Sequence, residues 1–293
     1  MPSKVDVVVP TFNRSAQLDR LLRQLTSTES PTLHRVIVVD NASTDDTELI
    51  LARYPSVVVE RNRTNVRSAR ARQQGWDLCT SDFVCFIDDD NVLDPNMLEE
   101  LSNFLESHPR VGMVAPVQYR LDDSTVWCTG GRIDGRLRVT YERSLDQLDE
   151  HSTFAFQPNV FMVRNHLREE GLSFDWRNFP HNWSEAEFGH RLNRQGWEIR
   201  TCSRAVTHHD IDYRGAFTRI NATNLADQSE SRVRYRKMYA NTPMVWLWFF
   251  AVVLPASVLA LGVAVRKDAN RWSYFRIYVS ATWRGLRAPR RQF

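Results

Sequence analysis

The stretch Phe83–Asn91, FVCFIDDDN, sets five apolar residues directly against three carboxylates, Asp88, Asp89 and Asp90. A short, unbroken apolar run bounded by polar sequence and rich in aromatic and β-branched residues reads as a buried strand. Two carboxylates ~4 Å apart repel by roughly 4 kcal/mol at an effective dielectric near 20. A strand that ends on three of them needs a positive species at its tip.

The same rhythm extends outward from this stretch. Val5–Val9 is an apolar run that stops at Pro10-Thr11, and helical spacing follows over Ser15–Thr26 through Leu18, Leu21, Leu22 and Leu25. Val36–Val39 stops at Asp40-Asn41, after which Ser43 or Thr44 is the expected cap of a helix through Leu49, Ile50 and Ala52. Val57–Glu60 reads as a strand, and Arg67–Leu78 and Met97–Ser107 read as helices. Alternation of helices with apolar strands predicts an α/β domain, a Rossmann-like, mostly parallel sheet with helices on both faces. Chemistry on such sheets gathers at the carboxyl ends of strands, here Pro10-Thr11, Asp40-Asn41 and Asp88–Asp90. No GxGxxG and no GxxxxGK[ST] follows the first strand, so dinucleotide and P-loop binding are not expected.

Beyond residue 110 the alternation weakens. Val111–Pro116, Phe161–Val163 and Ile199–Thr207 read as strands, the last running into His208-His209, and Ser184–Gln195 reads as a helix. Gly130-Gly131 and Asp134-Gly135 mark a turn-rich insertion, a candidate lid or acceptor loop.

At 293 residues, with 42% hydrophobic and 11% aromatic content, the chain has enough apolar material for a full core, and disorder is excluded as its general state. Cys79, Cys85, Cys128 and Cys202 show no CxxC spacing. Cys85 lies inside the quoted strand, so reduced, buried thiols in a cytoplasmic compartment are expected. No signal-peptide pattern precedes the first strand. The net charge of +3 conceals a split: residues 232–293 carry twelve basic residues and one acid, leaving 26 basic and 34 acidic residues ahead of them. An acidic body with a basic tail points to an anionic partner for the tail and to no nucleic acid for the body.

That tail holds one segment of membrane grade. Pro243–Val265 runs for 23 positions without a charge. As a helix it would be about 34 Å long, enough for a hydrocarbon core of roughly 30 Å. Pro255 lies within it, so it reads as a transmembrane or a re-entrant helix. The expected organisation is a catalytic domain over residues 1–230, a basic linker over 231–242, the membrane segment over 243–265 and a basic aromatic tail over 266–293 suited to an anionic lipid surface.

Five motifs carry a resemblance. They are VVVPTFNR at Val7–Arg14, VIVVDNASTDDT at Val36–Thr47, NVRSARARQQG at Asn65–Gly75, FVCFIDDDNVLDPNML at Phe83–Leu98 and WSEAEFGHRLNRQGWEI at Trp183–Ile199. In this order and spacing, from about Val5 to Asp210, the chain resembles family 2 inverting glycosyltransferases with the GT-A fold. The resemblance implies that Thr11, Asp40, Arg72, Asp88 and Asp89 bind a nucleotide-diphosphate sugar. It implies a Mg2+ or Mn2+ ion on Asp90 and Asp88, with His208 as a further ligand. Such an ion would neutralise the acids and the donor diphosphate together, which answers the charge problem of the opening stretch. Glu185 or Glu187 would be the base that deprotonates the acceptor hydroxyl. This sequence departs from the family pattern at Arg67, where a glycine is usual, at Gln73, where an asparagine is usual, and at Glu185, where the base is an aspartate.

The expected activity is transfer of a sugar, with inversion, to a hydroxyl of a polyprenyl-phosphate-linked saccharide. The expected place is the cytoplasmic side of the cell membrane, in protein glycosylation or cell-surface glycan assembly. A metal-dependent phosphohydrolase using Asp88 as nucleophile, and a non-catalytic membrane-surface binder, are the alternatives. The first lacks a Thr after the acids and a convincing downstream Lys; the second leaves Glu185 and the nucleotide motifs idle.

Overall fold

The computed structural model describes residues 3–27, 30–134, 139–146, 148, 153–210, 222–239 and 271–287. The chain divides into a larger unit, Met1–Pro180 with Ser184–Asp212, and a smaller one, His181–Trp183 with Tyr213–Phe293.

In the larger unit the first half alternates as expected: β1 (Val5–Thr11), α1 (Ser15–Ser27), β2 (Leu33–Asp40), α2 (Thr47–Leu51), β3 (Val58–Arg61), α3 (Ser68–Asp77) and β4 (Phe83–Ile87). There follow β5 (Asn91–Leu93), α4 (Met97–Ser107), β6 (Val111–Arg120), β7 (Val126–Cys128), β8 (Gly130–Ile133), β9 (Val139–Glu142), β10 (Val160–Arg164), α5 (Ser184–Arg194) and β11 (Glu198–His209). The main sheet runs β3-β2-β1-β4-β10-β6-β11-β5, with β7 beside β6, while β8 and β9 pair as a separate hairpin. Strands β3, β2, β1 and β4 are parallel to one another, β10 runs antiparallel between β4 and β6, and β11 lies parallel to β6.

Side-chain alternation explains why the central strands are apolar throughout. Val5, Val7 and Val9 of β1 and Phe83, Cys85 and Ile87 of β4 pack with Leu18, Leu21 and Leu22 of α1 and Leu101 and Leu105 of α4. Val8, Val84 and Phe86 face the other way, toward Trp76 of α3 and Phe188 and Leu192 of α5. A sheet covered on both faces exposes no strand face to water. Helix α3 sits hard on β1: a Cβ added at Gly75 would fall 2.3 Å from Val8 Cγ1. All four cysteines are free and buried, and burial pushes the Cys128 thiol up to about 12.

Two local expectations are corrected. Neither Ser43 nor Thr44 caps α2; Asp46 precedes the helix without a side-chain cap. Ser43 and Thr44 instead tie down the loop after β1, Ser43 Oγ accepting from Asn13 N at 3.0 Å and Asn13 Oδ1 accepting from Thr44 N at 2.7 Å. At the start of α3, Arg67 takes φ 71° and ψ 166°. That region is essentially reserved for glycine, and a side chain there costs about 1–3 kcal/mol. Arg67→Gly removes this strain at an entropic cost of about 0.5–1 kcal/mol. The substitution is expected to raise stability by about 1 kcal/mol, read as a higher urea midpoint at unchanged slope.

The smaller unit contains α6 (Ala222–Tyr239) and α7 (Arg271–Arg287). Helix α6 continues through the residues read as a basic linker as far as Tyr239. The two helices pack at Gly285, where a Cβ would lie 2.8 Å from Glu230 O and 2.9 Å from Val233 Cβ. Arg284 Nε donates to Glu230 at 2.9 Å. Among the described residues no helix is long and apolar enough to cross a membrane. The apolar segment 243–265, on which the membrane expectation rests, lies outside the described residues.

Candidate active site

Strands β1 and β4 are parallel neighbours in register Val8↔Phe86, and the sheet grows in opposite directions from them, to β2 on one side and β10 on the other. Their carboxyl ends therefore flank a crevice of the kind in which α/β sheets bind ligands. Thr11 at the end of β1 donates through Oγ1 to Asp89 Oδ2 at 2.8 Å. Three residues on, Arg14 Nη1 reaches Asp89 Oδ1 at 3.0 Å and Asp90 Oδ2 at 2.5 Å. From β11, His209 Nε2 lies 3.3 Å from Asp90 Oδ1, and the Asp210 amide donates to Asp90 O at 2.8 Å.

A ladder of buried amides fixes the turn from beneath. Asn91 Nδ2 donates to Asp88 O at 2.8 Å, and Asn91 and Asn159 exchange side-chain hydrogen bonds at 3.0 and 2.9 Å. Asn159 also donates to Gln118 Oε1 at 3.2 Å, and Gln118 Nε2 to Pro158 O at 2.9 Å. A buried amide left unsatisfied would cost about 1–3 kcal/mol. Each of these donors therefore constrains where the acids stand.

The second acidic element arrives on α5 and is joined to the first by one guanidinium. Arg72, only 1% exposed, donates from Nη2 to Asp88 Oδ1 at 2.6 Å and from Nη1 to Glu185 Oε1 at 2.5 Å. Ser184 Oγ supports the far oxygen, Glu185 Oε2, at 2.8 Å. Arg72 Nε is buried without a hydrogen-bond partner. Burial alone would lift Glu185, but the charge of Arg72 and the hydrogen bonds around the carboxylate hold it below the ordinary value. Asp88 moves up, because burial and the neighbouring charges of Asp90 and Glu185 outweigh Arg72. Burial likewise pushes Asp89 up to about 7 despite Arg14. Asp90 goes the other way: His209 and Arg14 overcome its burial and hold it low.

Of the residues singled out by sequence, Thr11, Asp88, Asp89, Asp90, Arg72 and Glu185 come together here. Asp40 lies buried at the end of β2, its Oδ1 accepting from Ser43 N at 2.9 Å. It is tied to β1 through the hydrogen bond from Asn41 N to Thr11 O.

Two expectations need correction. Glu187 does not join the site. It is fully buried, and Arg191 grips both its oxygens at 2.7 and 2.8 Å while also donating to Ser173 O. His208 points elsewhere too, stacked on Tyr119 at 5.8 Å and 3.9 Å from Asp94, and the neighbouring His209 takes the place beside Asp90.

Sequence reasoning gave no role to Arg14, His209, Asn91 or Asn159. Arg14 stands inside the quoted VVVPTFNR motif, three positions past Thr11. That spacing, a cation close behind a strand whose neighbour ends in acids, was the available signal.

The donor set fits a hard divalent cation, which takes oxygen ligands and uses one or two carboxylates together with diphosphate oxygens. Among the described residues no three acidic, histidine or cysteine side chains converge on one point. Asp90 and His209 form the tightest acid–histidine pair at the corner, with Asp88 and Asp89 beside them.

Comparison with known proteins agrees with this fold. An uncharacterised glycosyltransferase from Haemophilus influenzae is 30% identical over 110 residues, 38% of this chain and 37% of its own length. GalNAc-T7, solved with UDP, GalNAc and Mn2+, superposes with a TM-score of 0.68 at 13% identity, over 94% of this chain and 54% of the other. A mannosyltransferase from Pyrobaculum calidifontis, solved with GDP-Man and Mn2+, superposes with a TM-score of 0.59 at 17% identity, over 98% and 88%. The chain thus spans well under two thirds of the Haemophilus protein and of GalNAc-T7. The pattern described as Glycosyl transferase family 2 matches residues 6–171, a span that holds every strand end of the acidic corner except that of β11. More than half of the sequence carries that pattern, and the chain belongs to glycosyl transferase family 2.

Proposed function

We propose that this chain is an inverting glycosyltransferase. It transfers a sugar from a nucleotide-diphosphate donor to a hydroxyl of a lipid-linked saccharide, at the cytoplasmic face of the cell membrane. The observation that carries the reading is Arg72, a single buried guanidinium gripping an acid of the β4 tip and an acid of α5 at once. It fixes the distance between a donor-holding group and a base, which is what a single displacement requires.

Each residue has a part. Thr11 orients Asp89, and Asp40 with its Asn41 neighbour offers acceptors to the base and ribose of the nucleotide. Asp90 and His209, with Asp88 as the adjoining acid, would hold Mg2+ or Mn2+, which would supply positive charge to the departing diphosphate. Glu185, kept ionised by Arg72, takes the acceptor proton as the new C–O bond forms and the hydroxyl becomes more acidic. Attack from the face opposite the leaving group inverts the anomeric centre, and no covalent intermediate is needed. The uncharged run at 243–265 and the basic tail support a membrane-bound acceptor. The exposed Trp283 and Arg276 of α7 suit an anionic lipid headgroup layer.

The test is a thermal-shift screen of nucleotide sugars on the full chain in mild detergent, with Mn2+, Mg2+ or chelator. A donor at about a hundred times its Kd stabilises the native state by about 2.7 kcal/mol, a shift of several degrees that chelator removes. Glu185→Gln is expected to keep this shift while losing transfer about a hundredfold or more. Glu187→Gln is expected to lower the melting temperature instead, because it leaves the Arg191 charge without its counter-ion. If no sugar nucleotide raises the melting temperature with either metal, the reading is wrong.

A further inference from the structure

The β8–β9 hairpin takes no part in the chemistry above, yet it supplies the outer end of a chain of aromatic rings. Tyr141 of β9 lies 6.1 Å from Trp127 of β7, with their planes 30° apart. Trp127 in turn lies 4.5 Å from His209, edge to face at 66°. His209 is the residue that faces Asp90, so the rings run continuously outward from the acidic corner. The outer end reaches solvent, Tyr141 being 51% exposed and Trp127 half-buried.

The strip is built rather than incidental. Phe156 backs Tyr141 at 5.9 Å and 75°. Gly131 of β8 donates its amide to Phe156 O at 2.9 Å, and its carbonyl accepts from Ala155 N at 2.8 Å. A Cβ on Gly131 would fall 2.2 Å from the Phe156 ring, so the close seating of the hairpin requires glycine there. The Gly-Gly pair that reads from sequence as a loop thus serves to press an aromatic ledge against the site.

We propose that Trp127 and Tyr141 form a platform on which a pyranose ring of the acceptor stacks, so that the acceptor is recognised through its saccharide and not through its lipid. The inference rests on the glycosyltransferase reading of the adjacent corner. A pyranose presents a face of polarised C–H bonds that matches the electron-rich face of an aromatic ring, with hydroxyls projecting at its rim. Aromatic area exposed beside a reactive site offers a ring face for such stacking. A bare polyprenyl phosphate offers an anion and a chain, and neither matches the face of an aromatic ring. Continuity with His209 places the stacked sugar next to the group that would receive it.

Saturation-transfer NMR on the full chain, with a panel of methyl pyranosides and with donor absent, tests the contact. At least one pyranoside is expected to receive saturation through its C–H face. Tyr141→Ser and Trp127→Leu are expected to abolish the signal, and Tyr141→Phe, which keeps the ring, to retain it. In transfer assays Tyr141→Ser is expected to raise the acceptor KM about tenfold, the order of one lost stacking contact, with donor-induced stabilisation in Mn2+ unchanged. The proposal fails if no pyranoside gives a signal that Tyr141→Ser removes, if Tyr141→Phe is as damaging as serine, or if sugar-free polyprenyl phosphate accepts as well as its glycosylated form. Pyranoside binding with no donor-dependent shift would overturn the transferase reading while leaving the platform standing.

Discussion

Asp90→Ala is expected to reduce glycosyl transfer by more than a hundredfold, about 2.7 kcal/mol in the barrier, and to leave the fold in place. Asp90 is the acid on which Arg14 and His209 both converge, and the one held lowest among the three. Its carboxylate is therefore charged at every working pH, as a ligand for a hard cation must be. On the proposed mechanism, loss of that ligand would weaken the positive charge offered to the departing diphosphate. The stability side works in the opposite sense. The charge on Asp90 raises both Asp88 and Asp89, so removing it relieves repulsion at the tip of β4 and offsets the lost ion pair with Arg14. Initial rates at saturating donor, set beside melting temperatures with and without Mn2+, check both halves. A variant that melts normally, still gains stability from donor plus metal and transfers at a near-normal rate would remove Asp90 from the chemistry.

Arg72→Met has the largest expected effect on stability. The guanidinium is 1% exposed, and it neutralises two carboxylates, Asp88 and Glu185, of which the second is 18% exposed. Removing one partner of a buried ion pair costs about 3–5 kcal/mol, because the remaining charges keep their desolvation penalty. Urea denaturation measures the loss. Adding Glu185→Gln to the variant is expected to recover part of it, by removing one stranded charge. The dependence on pH has a definite sign. In the wild type the native-state pKa of Glu185 is depressed, so this group lends stability above its ordinary unfolded value, about 4.3, and loses it as the pH falls through the native pKa. Without Arg72, burial raises the same group, and the ionised native form is penalised above that value. The stability gap between wild type and variant thus widens from about pH 4 toward pH 7. An unchanged urea midpoint in Arg72→Met would mean that the pair contributes nothing.

Much of this was legible in the sequence, and the parts that were not have physical reasons. Period and punctuation were enough for the parallel half of the sheet from β1 to β4, since β1, the second half of β2 and β4 are buried on both faces and end in polar turns. The acids after β4 announced themselves by their position. Which histidine faces them did not, because β11 shifts register between Cys202 and Val206 and strict alternation cannot be counted through that break. Glu187 could have been set aside in advance. Arg191 stands four residues after it, the spacing at which an acid and a base meet on a helix. The amide ladder of Asn91, Asn159 and Gln118 had no such signal, because its members come from segments distant in sequence and each alone is an ordinary polar residue.

The long separations within the corner also set when it can exist. Thr11 meets Asp89 across 78 positions, and Arg72 meets Glu185 across 113. Strand β5, at the edge of the sheet, pairs among the described residues with the last three residues of β11, in register His209↔Asn91. Contacts this far apart in sequence form slowly, after local structure is in place. A nascent chain emerging from the ribosome can complete β1 to β4 while Asp88, Asp89 and Asp90 still face solvent. Asp90 acquires the Asp210 amide on its carbonyl and the His209 imidazole beside its carboxylate only once residue 210 has cleared the exit tunnel, so translation reaches the end of β11 before the corner is complete.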